Sequence, residues 1–475
     1  MDIKIRRQEG SKPEDCLQTV PQEIINLIID IGVDETKYIS ELNSFLLTCS
    51  LISRPFHAGA RLHLFRDVRV TFDSRVQKRA KKALNILRRN NGLMLSHVRR
   101  FFLVIDFAEL RRKRAKTPIW RRRVAGWVNH LRRDNFADLL RLLTQVQLKD
   151  VVVKTKDPQR FGYWYDAMAP SVVPLVSALC SQRTVRFICF RTIRNVPFSL
   201  IRAGVSSTSI DELTVRNVSV VGAEDATMDE NFSPTLKTLE LTHSRFPSSL
   251  FSAFSACTIL SCFARVTSLT ISSPNSVDQV APFWKIVQSL QLLESLSVNV
   301  SPGSLPRTEL SSTIRLDQLP LLRTLKFTVT SKGFPGCCFN DGLGGVLVFL
   351  RPPTSSPPMP QLRSFELCVH SKIPDDDGLI LAFLLGDFLP NQWRVLDATL
   401  MGIGRHPGLQ RVKIWLHFSM ARIMATLGDH EQREMAERKA MVTRDMHLLA
   451  AAGRAGSIEF DIETPWTYEF RDPFI

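Results

Sequence analysis

No run of this 475-residue chain is apolar for long enough to cross a bilayer. The most apolar stretch, GLILAFLLG at residues 378–386, falls far short of the roughly 20 residues a spanning helix needs, and no membrane partner is expected. The opening MDIKIRRQEGSKPEDC has charges with no apolar core behind them, and the closing DPFI has no cysteine. Neither a secretory leader nor a lipid anchor is expected. Nine cysteines are present without a CxxC pair, and no histidine lies at zinc-finger spacing from Cys257 and Cys262 or from Cys337 and Cys338. They read as small buried apolar residues in a reducing compartment. The N-x-S sequons at Asn217, Asn231 and Asn299 then read as chance matches. Enzyme signatures are missing too: there is no HExxH, GxSxG or Walker loop. HEQRE at 430–434 lacks the second histidine, and the glycines of GIGRHPG at 402–408 are two and four apart, where a dinucleotide fingerprint needs two and three. Catalysis by this chain is not expected, and no metal or cofactor is assigned.

Charge is present in excess, but in one place. The formal balance is +16, yet residues 75–133 hold 19 Lys or Arg against only Asp106 and Glu109, leaving 43 basic and 44 acidic residues elsewhere. The basicity is therefore a property of one segment.

Residues 1–19 read as a loose, polar N-terminus. Residues 20–70 read as a small module of three helices. In the first, Pro21 suits the opening helical position and Glu23 favours the first turn. Ile24, Ile25, Leu27, Ile28, Ile29 and Ile31 sweep an arc of roughly 200°, about twice what a helix lying on one core requires. The surplus predicts a second burial surface, supplied by another protein. The second helix carries Leu42, Phe45, Leu46, Cys49 and Ile52 or Ser53 at helical spacing up to Pro55, and HAGARLHLF makes a third. A basic connecting helix over 71–97 comes next.

From residue 98 to about 420 one pattern recurs: apolar, two others, apolar, one other, apolar. It appears in VRRFFL (98–103), LTQVQL (143–148), VRFICF (185–190), IDELTV (210–215) and LKTLEL (236–241). It returns in VTSLTI (266–271), LESLSV (293–298), LRTLKF (322–327), LRSFEL (362–367) and LQRVKI (409–414), with IEFDI (458–462) as a degenerate last copy. The copies begin 45, 42, 25, 26, 30, 27, 29, 40 and 47 residues apart, and the central steps match the period of leucine-rich repeats. PSVVPLVSALCSQ, APFWKIVQSLQ and GLILAFLLGDFL supply helices between copies. The fold class expected is α/β: the helical module, then an irregular leucine-rich-repeat solenoid with parallel strands inside the arc and helices outside. A basic insertion (111–133) and a Pro-rich loop (351–360) interrupt it. Residues 421–475 supply a capping helix, with Met435, Val442, Met446 and Leu449 on one side and Gly453 as its stop, and a last strand. The rival is an ordinary α/β domain with several parallel strands.

The first block matches a known motif. Val20-Pro21 and Glu23-Ile24-Ile25 lead to Ile28-Ile29, and Cys49-Ser50-Leu51-Ile52-Ser53-Arg54 leads to Phe56. This resembles an F-box, with Val20 in place of the usual Leu, Phe56 in place of the usual Trp, and a long turn between helices. The resemblance covers only the 20–70 block, but an F-box followed by leucine-rich repeats is a familiar arrangement. It implies a non-catalytic substrate-receptor subunit of an SCF-type ubiquitin ligase. The F-box would dock a Skp-type adaptor, and through it a cullin scaffold, while the repeats hold an unknown protein substrate and other subunits transfer ubiquitin. Pro21, Ile24, Ile25 and Ile28 would be the adaptor surface, the remainder of the helix packing on Leu46, Cys49 and Phe65.

Substrate contacts are expected on the polar face of the strands. Alternation places Thr238, Glu240 and Thr242 opposite Leu239 and Leu241, and the same count selects Ser268, Thr270, Ser295, Ser297, Lys326, Glu366, Lys413 and Trp415. The basic segment stays open. RRKRAK (Arg111, Arg112, Lys113, Arg114 and Lys116) with RRR at 121–123 resembles a nuclear-import signal. The cluster also suits nucleic-acid phosphates, with Trp120 and Trp127 for stacking, an acidic partner, or a plain exposed insertion. Nucleic acid is not the expected partner, and the location expected is nucleus, cytoplasm or both. Two alternatives remain: a repeat scaffold outside ubiquitin ligases, whose F-box-like block is only a cap, and a nuclear nucleic-acid-associated protein using residues 75–133.

Overall fold

The Pro-led helix forms one residue later than its proline. The computed structural model describes residues 20–35, 39–92, 94–116, 134–157, 162–164, 168, 170–207, 209–222, 235–242, 251, 254–255, 260–274, 277–300, 316–332, 338–350, 359, 361–373, 390–401, 406–420, 429–463 and 466–468. The loose N-terminus, RRR at 121–123 with Trp120 and Trp127, most of the Pro-rich loop, GLILAFLLG and Asn231 lie outside the described residues. The chain divides into two units, Met1–Lys156 and Asp157–Ile475, and each is α/β with parallel strands.

The first unit opens with α1 (Gln22–Glu35), α2 (Ile39–Ile52) and α3 (Arg54–Leu64). Pro21 precedes α1, and its carbonyl accepts the N–H groups of Ile24 and Ile25 at 3.1 and 3.3 Å. It starts the first turn from outside, where its missing N–H costs nothing. Pro55 does not end α2: Ser53 is extended (φ −161°, ψ 169°), and Pro55 falls in the first turn of α3, where proline is tolerated. Ile25 and Ile29, one turn apart on α1, join Leu46, Cys49 and Ala60 in a shared core, with Val33, Leu42, Phe45 and Phe56 packed against it. His63 Nε2 lies 2.9 Å from Asp30, tying α3 to α1.

Next come β1 (Asp67–Phe72), α4 (Val76–Leu87), β2 (Arg100–Ile105), α5 (Phe107–Lys116), α6 (Asn135–Leu143) and β3 (Asp150–Thr155). The three strands run parallel, Val68 beside Phe101 beside Val151 and Val70 beside Leu103 beside Val153. Basic α4 buries Val76, Ala80, Leu84 and Leu87 and exposes Lys78, Lys81 and Lys82. LTQVQL is not a strand. Leu139, Leu140 and Leu143 follow helical spacing on α6, which Asp134 caps through the N–H groups of Phe136 and Ala137. The strand copy is LKDVVV (148–153), with Leu148, Val151 and Val153 fully buried. FRDVRV (65–70) is a further copy ahead of VRRFFL, placed by the register of β1 on β2.

In the second unit the strands are β4 (Gly162–Tyr163), β5 (Phe187–Arg191), β6 (Ile193–Arg194), β7 (Val196–Pro197), β8 (Glu212–Arg216), β9 (Val220–Val221) and β10 (Thr238–Thr242). They continue as β11 (Ser268–Ser272), β12 (Ser295–Val300), β13 (Thr324–Lys332), β14 (Ser364–Ile373), β15 (Arg411–Met420), β16 (Glu459–Glu463) and β17 (Trp466–Tyr468). The sheet order is β5-β8-β10-β11-β12-β13-β14-β15-β16, with β17 also beside β15 and two short pairs, β4 with β6 and β7 with β9. All of these pairings are parallel. Parallel neighbours need a crossover of a dozen or more residues, which is why the motif recurs at long steps. The register puts Ile188, Leu213, Leu239, Leu269, Leu296, Leu325, Phe365 and Val412 in one row. In every copy from VRFICF to LQRVKI all three motif positions are buried.

Helices bounded by described residues include α7 (Val173–Cys180), α8 (Phe198–Val205), α9 (Val280–Ser289), α10 (Cys338–Leu350), α11 (Pro390–Leu400), α12 (Asp429–Asp445) and α13 (His447–Arg454). Their rings reach the strands: Phe283 meets Phe349 at 5.9 Å, Phe349 meets Phe327 at 5.5 Å and Phe327 meets Phe365 at 6.0 Å. The C-terminal helix is two helices, broken at Met446 (φ −99°, ψ 51°). Asp397 of α11 is wholly buried and accepts the N–H groups of Leu448 and Leu449 at 2.9 and 3.0 Å, capping α13. Gly453 lies inside α13, and the chain turns at Gly456, at φ +70°.

Candidate functional site

The first surface lies on α1. One stripe, Ile25 and Ile29, is 0% exposed, while Ile24, Leu27, Ile28 and Ile31 are 47%, 54%, 47% and 50% exposed. A helix of 3.6 residues per turn separates these two sets by construction. Pro21 is exposed. Ile25 must be removed from the expected adaptor residues, because the module's own core seals it; Leu27 and Ile31 take its place on the open face. Leu46 and Cys49 pack under α1 as expected, whereas Phe65 is half-buried outside that core. On α2, Leu47, Leu51 and Ile52 are also exposed. Seven apolar side chains of α1 and α2, Ile24, Leu27, Ile28, Ile31, Leu47, Leu51 and Ile52, are therefore open to water.

The second surface is the polar face of the strands in the second unit. Register brings Glu240, Thr270, Ser297, Lys326, Glu366 and Lys413 into one row, which ends on Asp461. Thr238 shares the preceding row with Ser268 and Ser295. All are half-buried. Thr242 shares the face of Glu240, its hydroxyl donating to the Glu240 carboxylate at 3.0 Å, but it is buried there. Trp415 gathers the charged end of the row, with Lys326 Nζ and Lys413 Nζ at 4.9 and 4.8 Å from the ring centre, within cation–π range. Lys326 pairs with Glu366 at 3.2 Å, and Lys413 pairs with Glu463 at 2.5 Å. The hydrogen bond from Lys413 holds the Glu463 carboxyl below its ordinary range.

The six-residue motif ends before the strands do, because β13, β14 and β15 run on beyond it. Continued alternation brings His370 and His417 side by side, Nδ1 to Nδ1 at 2.7 Å, with Cys368 Sγ 3.3 Å from His370 Nε2. The motif alone gives no sign of this cluster; extending the alternation along each strand would have found it. Burial, His417 and Lys326 together hold the His370 imidazole below its ordinary value. Burial pushes the Cys368 thiol up, so it stays protonated and a poor nucleophile. Cys49, Cys180, Cys189 and Cys262 are likewise buried thiols. Among the described residues, no group of three or more His, Cys, Asp or Glu is placed to hold a metal ion, and no helix is long and apolar enough to cross a membrane.

The basic segment is described only in part. Arg111, Arg112 and Lys113 are exposed on α5, with Arg112 3.6 Å from Glu109. Arg114 and Lys116 are helical, and their side chains lie outside the described residues. No family model matches the chain, and no curated protein matches it significantly.

Proposed function

We propose that this chain is a substrate-receptor subunit of an SCF-type ubiquitin ligase. Its three-helix module would be an F-box that docks a Skp-type adaptor and, through it, a cullin scaffold. The parallel strand–helix units would be an irregular leucine-rich-repeat solenoid that holds a protein substrate, with the chemistry left to partner subunits. The observation that carries this reading is the division of α1 into a sealed face and an open apolar face, Ile24, Leu27, Ile28 and Ile31, on a module whose sequence resembles an F-box. An interface built there is apolar at its centre and sensitive to an inserted charge. Co-expression with a Skp-type adaptor tests it: the two copurify, and Ile24→Asp with Ile28→Asp abolishes copurification. A pair that never copurifies, or one that ignores those substitutions, overturns the reading and leaves a repeat scaffold outside ubiquitin ligases.

A second reading rests on α4. Lys78, Lys81, Lys82, Arg88 and Arg89 are exposed on or just after it, so a nuclear, nucleic-acid-associated role would use this face. It requires binding that weakens steeply with salt and disappears when Lys78, Lys81 and Lys82 become Gln.

A further inference from the structure

Along the entry edge of the strands in the second unit, the residues just ahead of β5, β8, β10, β11 and β12 line a groove of about 540 Å³. Arg186, Asp211, Lys237, Arg265, Thr267 and Leu292 define its chemistry. Asp211 sits between Arg186 at 3.0 Å and Lys237 at 3.3 Å. Burial pushes its carboxyl up, but hydrogen bonds from both cations outweigh this and hold it below its ordinary range. One carboxylate serves two cations whose side chains remain 63% and 68% exposed. Arg265 is exposed and meets no partner among the described residues. Leu292, 43% exposed, adds an apolar wall.

Among the described residues, the groove thus carries three cations against one carboxylate. The polar strand face around Trp415 has the opposite balance, because Lys326 and Lys413 are already matched by Glu366, Asp461 and Glu463. An incoming carboxylate gains more where a guanidinium lacks a partner than where it must displace one. Among the described residues no aromatic side chain lines the groove, whereas binders of single-stranded nucleic acid offer bases a stacking platform.

We infer that this groove binds an acidic peptide segment of the substrate, seating a Glu or Asp carboxylate on Arg265 and Lys237 and an adjoining apolar side chain on Leu292. The inference rests on the receptor reading and moves the main substrate contact from the polar strand face to the strand-entry edge. The test uses the full chain and fluorescence anisotropy with a short fluorescein-labelled peptide of Glu and Leu, beside its Gln and Leu counterpart. The acidic peptide binds at least tenfold tighter than the Gln form. Lys237→Glu with Arg265→Glu removes that advantage, Arg265→Gln reduces it, and Arg433→Glu with Lys439→Glu, at exposed positions of α12, leaves it intact. Equal binding of the two peptides, indifference to the groove substitutions, or equally tight Arg265-dependent binding of oligouridylate overturns the inference. Melting curves of the variants verify folding, which substitutions at exposed positions preserve. Adaptor copurification of the unsubstituted chain separates the two readings: no preference for the acidic peptide with the adaptor retained refutes the groove alone. Adaptor lost with peptide binding intact refutes the ligase reading and leaves the groove standing.

Discussion

Two substitutions three residues apart on α1 are expected to have opposite consequences. Ile28 is 47% exposed and Ile25 is 0% exposed. Fully burying an isoleucine is worth about 1.5–3 kcal/mol, so covering the open half of Ile28 contributes about 1 kcal/mol to docking. Ile24, Leu27, Ile28 and Ile31 together contribute about 4 kcal/mol, about a thousandfold in affinity. Ile28→Asp removes one share and puts a carboxylate where water is excluded, at a further cost of several kcal/mol. Adaptor affinity should fall by at least about a hundredfold while the melting temperature stays put. Ile25→Ala leaves the open face intact but empties part of the core shared with Ile29, Leu46, Cys49 and Ala60. Such cavities cost about 2–5 kcal/mol, so the module's melting temperature falls. Titration calorimetry against a Skp-type adaptor and thermal melts read the two effects. Adaptor affinity within threefold of wild type for Ile28→Asp, or an unshifted melt for Ile25→Ala, refutes the two-faced assignment.

Asp397→Ala strips the cap from α13 and leaves two N–H groups, that of buried Leu449 among them, without their carboxylate. Chemical denaturation should show a loss of about 2–4 kcal/mol, and a loss under about 0.5 kcal/mol contradicts the cap. His370 is held below its ordinary value of 6.5 by burial, His417 and Lys326, so the unfolded chain takes up a proton that the folded chain refuses. The stability it lends is present above about 6.5 and is lost as pH falls through the lower folded value. Denaturation midpoints between about pH 7.5 and 5.5 should decline less steeply in His370→Gln, and an unchanged slope refutes the assignment. Gly59 of α3 lies against α1 so closely that an added Cβ would fall 2.7 Å from Ile29 Cδ1 and 2.8 Å from Asn26 Oδ1. Gly59→Val should therefore lower the module's melting temperature, and an unshifted melt contradicts the close approach.

The parallel strands of the second unit could be read in advance because the LxxLxL spacing reports burial on one face of a strand, and those positions are buried in every copy from VRFICF to LQRVKI. The same spacing misled at LTQVQL, where Leu143 satisfies a helix and a strand pattern equally well and the cap at Asp134 settles the matter for the helix. It also stopped short on β14 and β15, because a six-residue motif says nothing of where a strand ends, so His370 and His417 were overlooked.

On α1, the run of isoleucines announced more apolar surface than one core uses, but could not say which members face inward. That choice depends on where α2 and α3 lie against the helix, and it sent Ile25 inside and left Ile28 open. The groove was invisible for a similar reason. Arg186, Asp211 and Lys237 hold the second position of VRFICF, IDELTV and LKTLEL, and Arg265 precedes VTSLTI, but only parallel pairing makes them neighbours. On the strands of the second unit, local periodicity settles which residues avoid water, because it is written in the spacing of adjacent side chains. Which charges meet, and which are left unmatched, is settled by strand register across the whole array.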